Sequence, residues 1–453
     1  MEPNQRYTAK HGTSAPQTAP KERRPLFRSN KARQNTLRAV KLICLFLALA
    51  VTAGVLQEFV LCHADHNRQR LKGFYLEDKD SLDVVFMGAS EVYSDFAPGY
   101  AYEKFNLTSY LFSTQSNSIL NYKAQLKNVL SRQNPDLIVI ELNGALYADD
   151  GETTKEANLR NFADNVPLDM TKAEWIAENG SDNVMEYVFP LMKYHSVWQD
   201  VPDNLLYQET VMENKLNGYS YLKGILNEAA IFKATQSSMN SMLQQSANSR
   251  KPLGAPEEQA LRELLAFCKE ENLTNVVFAR FPHIVVRRTF SRFERSNTVA
   301  DIVNEYGFDY INFELNYDQT GLDETTDFYN LDHLNVYGQV KFTEFFTNYL
   351  MEHYNVAPHE LTKSQEEEWR VCANYYNAYY QYSDALIQEH EQKLAENPPQ
   401  HEKPQQGEKP QQGEKPQQGE KPQKSDKSEK TEKPKTRELS EDSDLLDALQ
   451  AYL

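Results

Sequence analysis

The sequence has few cysteines for its length of 453 residues, and their positions exclude two classes of protein. Two of the four, Cys44 and Cys62, fall in one apolar run, and the other two lie far apart. This pattern is neither a zinc-binding spacing nor a disulfide framework. His63 and His66 have the spacing of a helical metal pair but no third ligand nearby, so we expect no metal and no cofactor.

Basic side chains are also fewer than acidic ones. The chain has 65 acidic and 48 basic side chains, a formal net charge of −17. The first 62 residues carry ten basic and three acidic side chains, so the remainder carries −24. An acidic surface repels polyanions, which excludes nucleic acid as a partner and requires any anionic envelope polymer to bind at a local site.

Long hydrophobic runs are absent except for one, Leu42–Cys62, which has the roughly 20 residues needed to cross a bilayer as a helix. Ten basic residues precede it, so the N-terminus is predicted to stay in the cytoplasm. A cleaved signal peptide fits less well, because the basic region is long and no small-x-small site follows. We predict a cytoplasmic tail over 1–38, a transmembrane helix over 39–62 that contacts the lipid bilayer, and an extracytoplasmic remainder of a single-pass cell-membrane protein.

Apolar runs of strand length alternate with helical patterns after a predicted stalk over 63–80. This alternation predicts an α/β fold with a parallel sheet of about five strands over 81–355. A polar, helix-like stretch predicts a helical insertion over 145–255. The predicted strands are Leu82–Met87, Ser109–Ser113, Asp136–Leu142, Asn275–Ala279 and Phe308–Phe313, and the predicted helices are Ile119–Arg132, Glu257–Glu271, Asn297–Tyr306 and Val340–Tyr354.

The C-terminal part changes composition twice. A Tyr- and Glu-rich stretch predicts a helical extension over 356–397. The repeated hexad Glu-Lys-Pro-Gln-Gln-Gly over 398–439 cannot bury a core, so it predicts a disordered spacer. Leucines at helical spacing in 440–453 fit either a short helix or a frayed tail.

Two residues at opposite ends of the predicted sheet domain have the types needed for nucleophilic catalysis. Ser90 follows the first strand, where the carboxyl edge of a parallel sheet opens to ligands. The pattern Gly-Ala-Ser lacks the later glycine of a nucleophile elbow, and a helix N-cap serine is the alternative. His333 lies in a polar loop before an amphipathic helix, and a serine needs a neutral imidazole to accept its proton.

The segments around these residues, GASEVY at Gly88–Tyr93 and DHLNVYG at Asp332–Gly338, resemble the first and last blocks of the SGNH (GDSL-like) hydrolases. The sequence is most similar to the membrane-anchored Gram-positive branch that includes the D-alanine transfer proteins of teichoic acid modification. The resemblance implies a flavodoxin-like, three-layer SGNH domain. It extends over Ser81–Tyr354 and includes TSYLFSTQSNSI at Thr108–Ile119, PDLIVIELNG at Pro135–Gly144, ANLRNFADNVPL at Ala157–Leu168 and FPLMKYHSVW at Phe189–Trp198.

The resemblance implies a role for several residues. Ser90 matches the nucleophile and His333 the general base. The donors to an acyl-transfer oxyanion would come from the backbone of Ser113 and from Asn143, although Asn143 also fits a simple turn after a strand.

The sequence departs from the family at the catalytic acid. Asn330 stands three residues before the histidine, where the family has aspartate, and Asp332 is adjacent to it. An asparagine can orient an imidazole but cannot stabilise its cation with a full charge. Either another carboxylate substitutes, or activity is reduced or lost.

Tyr194, His195 and Trp198 match a recurring element of this branch. They are candidates for an acceptor crevice, and an aromatic cluster that packs the insertion on the sheet is the alternative.

Two functions remain open from the sequence. The first is an extracytoplasmic serine esterase or acyltransferase acting on acetyl or D-alanyl groups of a cell-envelope glycopolymer, with a membrane-bound O-acyltransferase as partner. The second is a non-catalytic SGNH-like assembly or glycopolymer-binding protein with the same partner. Neither requires a metal or a soluble cofactor.

Overall fold

The fold is described from a computed structural model of the chain. The structure describes residues 30–60, 66–149, 151–180, 183–194, 196, 222–233 and 236–396. Most of the predicted cytoplasmic tail, the repeat spacer over 398–439 and the terminal segment 440–453 lie outside the described residues.

The first helix, α1, spans Asn30–Val60. A window within Arg33–Gln57 has a mean hydropathy of 2.4, and none of it is buried against protein. Within the described part of the chain, α1 is the one helix long and apolar enough to cross a membrane. The predicted apolar helix is therefore present, and its orientation in a membrane stays a prediction.

Five parallel strands form a single sheet in the order β2-β1-β3-β4-β5. All five were predicted, because strands buried on both faces appear in sequence as continuous apolar runs. The order is that of flavodoxin-like doubly wound sheets, which bind ligands beyond the carboxyl ends of their strands. The strands are β1 Val84–Gly88, β2 Ser109–Ser113, β3 Leu137–Glu141, β4 Val276–Arg280 and β5 Tyr310–Asn312.

Eleven further α-helices lie in the described residues after α1. They are α2 His66–Phe74, α3 Ser90–Asp95, α4 Pro98–Phe105, α5 Ile119–Arg132, α6 Glu156–Ala163, α7 Met170–Asn179, α8 Val184–Val188, α9 Ala255–Glu270, α10 Phe290–Glu305, α11 Val336–His353 and α12 Lys363–Glu396.

Hydrophobic cores lie on both faces of the sheet because successive strand side chains point to opposite faces. In β1, Val85 and Met87 pack in the core that includes residues of α5, α9 and α10. Val84 and Phe86 pack in the other core, with residues of α3, α4, α11 and α12. The helices therefore cover both faces, and the carboxyl edge of the sheet is left as the place for a site.

The prediction of a stalk over 63–80 is wrong where α2 lies. Leu71 and Phe74, three residues apart on α2, are fully buried in the core beside β2. Arg70 donates a hydrogen bond from Nε to the carbonyl of Gly224, at 2.8 Å. The segment is part of the folded unit, because its short amphipathic pattern buries one face of a helix.

Within the described residues of the predicted insertion, short helices are present and no strand is found. The carbonyl of Lys223 accepts a hydrogen bond from the backbone N–H of Leu111 at 3.1 Å. This part of the insertion therefore lies along the outer side of β2, the edge strand.

Helix α11 begins at Val336, four residues before its predicted start. Asn335 is its N-cap, and its side chain accepts hydrogen bonds from the backbone N–H groups of Tyr337 and Gly338. An asparagine before an apolar pattern is an N-cap signal. The cap lies two residues after His333 and fixes the helix start at the next residue.

Candidate active site

Ser90 lies at the carboxyl end of β1, where the strand turns into α3. Gly88 ends the strand at φ +153°, and a Cβ there would lie 2.8 Å from Cβ of Glu141, so the close approach of β1 and β3 requires glycine. The N-cap of α3 is Ala89, so Ser90 is the first helical residue and not a capping serine. Its side chain is partly exposed, and its Oγ lies 3.4 Å from Oε2 of Glu91.

His333 lies in a tight loop after β5, and hydrogen bonds between backbone groups of this loop hold it closed. The N–H of Tyr329 donates to the carbonyl of His333 at 3.1 Å, and an antiparallel bridge joins Phe328 to Leu334. The Tyr329 ring stacks on the imidazole with 5.3 Å between centroids and 5° between planes. The ring orientation is therefore fixed on one face.

Asn330 fixes the tautomer of the His333 ring. Its Oδ1 accepts the backbone N–H of Asp332 at 2.8 Å and lies 2.9 Å from Nδ1 of His333. Because Oδ1 is an acceptor in both contacts, Nδ1 carries the ring proton and Nε2 has the free electron pair. The asparagine therefore orients the imidazole as the sequence suggested it could.

The remaining nitrogen of His333 is available. Nε2 is buried and has no hydrogen-bond partner among the described residues. Burial lowers the pKa of His333 below its ordinary value of 6.5, against the opposing charges of Glu91 and Asp332. The ring is therefore neutral at neutral pH, which is the state that a general base requires.

Two hydrogen bonds join α3 to the loop of His333. The backbone N–H of Leu334 donates to Oδ1 of Asp95 at 3.0 Å. In addition, the hydroxyl of Ser94 on α3 and the hydroxyl of Tyr329 in the loop are 3.2 Å apart. The structure thus brings the predicted nucleophile and base to one edge of the sheet, while Ser90 Oγ makes no hydrogen bond to Nε2 of His333.

Asp332 does not take the place of the missing acid. Its carboxylate is 35% exposed and lies 3.7 Å from Nη1 of Arg292. It acts on His333 only through its charge, which raises the pKa of the ring against the effect of burial. The group that contacts Nδ1 is Asn330.

The two predicted oxyanion donors differ in their surroundings. Ser113 ends β2 directly beside Gly88, is fully buried, and has an Oγ without a partner among the described residues. The side-chain amide of Asn143 donates to Glu91 and, at 3.3 Å, to the hydroxyl of Tyr147. Asn143 is therefore occupied in this structure and would have to exchange a partner to bind an oxyanion.

A cluster of buried charges at this edge was missed by the sequence reasoning. Its members all lie at or just beyond the carboxyl ends of strands, and each is at most 2% exposed. The residues are Glu91, Glu141, Arg280, His283 and Glu314.

Arg280, the last residue of β4, is the centre of this cluster. It donates from Nε to Oε1 of Glu314 at 3.0 Å and from Nη1 to Oδ1 of Asn143 at 2.6 Å. Its Nη1 lies 3.8 Å from Oε1 of Glu141. A buried carboxylate is tolerated only with such partners, so Arg280 allows the acidic side chains to be buried here.

Glu91 and Glu141 are held in different charge states. Burial opposes ionisation of Glu91, but a hydrogen bond from His283, the charge of His333 when that ring is protonated, and the charge of Arg280 lower its pKa to about 2. Burial, reinforced by the charge of Glu91, raises the pKa of Glu141 well above its usual value. The ionised group is therefore the one next to the predicted nucleophile, and its charge favours the cation of His333.

A sequence signal for this cluster exists. Charged residues end or directly follow otherwise apolar runs, as Glu141 does in β3 and Arg280 in β4. Because parallel strands end at the same edge, such residues meet there. Each one alone resembles an ordinary strand end, so the signal appears only when the strands are considered together.

The three residues predicted for an acceptor crevice are described only in part. The hydroxyl of Tyr194 donates to Oδ2 of Asp164 at 2.9 Å, and Arg160 lies over its ring at 5.9 Å. His195 and Trp198 lie outside the described residues. Both of these contacts lie within the predicted insertion, and the choice between crevice and packing stays a prediction.

No cluster of three or more histidine, cysteine, aspartate or glutamate side chains suited to a metal ion is found in the described ranges. Comparison of the chain with protein-family models and with curated proteins returns no significant match.

Proposed function

We propose that the chain is a serine esterase or acyltransferase of the SGNH type, with Ser90 as nucleophile and His333 as general base. The observation that carries the proposal is the buried, unpartnered Nε2 of His333, whose opposite nitrogen is held by Asn330. A buried polar atom without a partner is uncommon in folded proteins, and at a sheet edge it is a functional signal.

The chemistry follows from this arrangement. Oγ of Ser90 attacks the carbonyl carbon of an ester while its proton passes to Nε2 of His333. The imidazolium then protonates the leaving alcohol, and the acyl group remains on Ser90. Water or an acceptor hydroxyl attacks the acyl-serine, giving its proton to the same nitrogen, and Ser90 is regenerated.

Ser90 Oγ and Nε2 of His333 must come within hydrogen-bond distance to act together. Oγ of Ser90 is 3.4 Å from Glu91 and makes no hydrogen bond to His333. Catalytic hydrogen bonds are often long in ligand-free enzymes and shorten when substrate binds. A rotation of the Ser90 side chain about χ1 redirects Oγ without moving the backbone.

In this proposal Glu91 supplies the negative charge that an aspartate supplies in the SGNH hydrolases. Asn330 orients the ring, and the ionised Glu91 favours its cation through space. Orientation and charge, which one carboxylate usually provides, are thus divided between two residues.

We further propose that the substrates are acetyl or D-alanyl esters of a cell-envelope glycopolymer, processed outside the cell beside a membrane-bound O-acyltransferase. The apolar helix within Arg33–Gln57 and the basic residues before it support this location.

The test uses the full chain in detergent micelles, with p-nitrophenyl acetate hydrolysis and labelling by an uncharged fluorophosphonate. We expect the wild type to be labelled. Ser90→Ala should not be labelled, and its hydrolysis rate should fall by roughly a thousandfold or more. His333→Ala should show the same loss. Ser131→Ala, which changes an exposed serine in the last turn of α5, is the matched control, and this variant should label normally.

Labelling that persists in Ser90→Ala would contradict the proposal. A folded wild type that neither labels nor hydrolyses the ester would favour the non-catalytic glycopolymer-binding protein instead.

A further inference from the structure

A cavity of about 340 Å³ lies beside the loop of His333. Three arginines, Arg288, Arg292 and Arg295, line it from the start of α10. Leu331 and Asp332, which directly precede His333, form another part of its wall. Small-molecule sites span about 300–1,000 Å³, so this cavity has room for a small ligand group.

The charge of this cavity is opposite to that of the chain. Its lining contains three guanidinium groups and one carboxylate, whereas the chain carries a net −17. The carboxylate, on Asp332, lies 3.7 Å from Nη1 of Arg292. The lining therefore has a surplus of positive charge.

The arginines that line the cavity differ in their exposure. Arg295 is 3% exposed and donates from Nε to the carbonyl of Pro252 at 3.2 Å, so it is a fixed part of the wall. Arg288 is exposed and Arg292 is partly exposed, so their guanidinium groups are accessible to a ligand. Thr289 and Ser291 also line the cavity.

We propose that this cavity binds an oxyanion, phosphate or carboxylate, that belongs to the molecule whose acyl group reacts at Ser90, with Arg288 and Arg292 as its ligands. The planar guanidinium group matches two oxygens of a carboxylate or phosphate with parallel hydrogen bonds. The inference rests on the proposed function for its link to Ser90, but the anion site itself does not require catalysis.

The position explains why such a site would matter for the reaction. Asp332 lines the cavity and directly precedes His333 in the sequence, so an anion bound there would contact the loop that holds the base. An acidic surface repels an anionic substrate, and a local basic cavity overcomes this at one place. The site would therefore select for substrates with an anion a fixed distance from the ester.

Direct binding is tested first, by isothermal titration of the full chain in detergent with inorganic phosphate. We expect saturable binding, weakened about tenfold or more in Arg288→Gln and in Arg292→Gln. Arg287→Gln is the matched control, because it removes the same charge from an exposed neighbour that does not line the cavity. Ser90→Ala should bind phosphate as the wild type does, which separates this test from that of the proposed function.

Equal weakening in Arg287→Gln and Arg288→Gln would overturn the proposal, since it would indicate a general effect of charge. Absence of saturable phosphate binding by the wild type would overturn it as well.

The source of the oxyanion is tested next with paired substrates. If it is a carboxylate on the acyl group, p-nitrophenyl hemisuccinate should react faster than p-nitrophenyl butyrate. If it is a phosphate on the acceptor, acyl transfer to 2-hydroxyethyl phosphate should exceed transfer to ethylene glycol. In either case Arg288→Gln should remove the preference and Arg287→Gln should keep it, and no preference in either pair would refute the link to Ser90.

Discussion

Substitution of Asn330 by aspartate tests how the site works without the usual acid. The two side chains have the same shape, so the contact of Oδ1 with Nδ1 of His333, at 2.9 Å, should be retained while a negative charge is added. Two unit charges about 4 Å apart interact by about 4 kcal/mol at an effective dielectric constant of 20. Desolvation of the new carboxylate opposes this, so we expect the pKa of His333 to rise by about 1–3 units.

The assay is the pH dependence of kcat/KM for p-nitrophenyl acetate. In the wild type the acidic limb should lie below pH 6.5, because burial lowers the pKa of His333 from that value and the base must be neutral. In Asn330→Asp the limb should move to higher pH by about 1–3 units, with a faster plateau because the imidazolium is better stabilised. An unchanged limb, or one that moves to lower pH, would refute the reasoning.

Folding stability gives a second measurement that does not depend on catalysis. In the wild type the unfolded chain binds a proton at His333 more readily than the folded chain, so this residue reduces stability as pH falls below 6.5. Asn330→Asp raises the pKa of His333 in the folded chain, so the loss of stability at low pH should be smaller in the variant. The difference in free energy of unfolding between variant and wild type should therefore favour the variant more at pH 5 than at pH 8.

Three further substitutions test the fold around the site by guanidinium unfolding. Lys223 Nζ lies 2.8 Å from the carboxylate of the buried Glu77, so Lys223→Met leaves Glu77 without its main partner and should lower the free energy of unfolding by about 3–5 kcal/mol. Adding Glu77→Leu to Lys223→Met should largely restore it, and equal losses in the single and double variants would count against the ion pair. Gly144→Ala would place a Cβ against the carbonyl of Asn117, and a loss of about 1–3 kcal/mol is expected, whereas a neutral result would mean that this turn can relax. Asn335→Ala should cost about 1 kcal/mol through loss of the α11 cap, and no change would argue against that cap.

The sheet was predictable because its strands are short apolar runs buried on both faces. The run over Ser109–Ser113 matches β2 at both ends. Strand order, by contrast, depends on which helix covers which face. That information is distributed over the whole chain and is not visible in any one segment.

The candidate site was predictable only where the residues that contact each other are close in sequence. The contact of Asn330 with His333 is local, three residues apart, and follows from their spacing. The hydrogen bond of Arg280 with Glu314 joins the end of β4 to the segment after β5, so it depends on strand order and register. The occupied amide of Asn143 was likewise hidden, because its partner Glu91 lies 52 residues away.

The contact of Lys223 with β2 has a consequence for solubility. An exposed edge strand is a template for pairing with other chains, and proteins cover or shorten such edges. Here the carbonyl of Lys223 meets the N–H of Leu111 on one edge, while β5, at the other, is only three residues long. A variant that lacks residues 222–225 would therefore uncover the longer edge, and we expect it to self-associate.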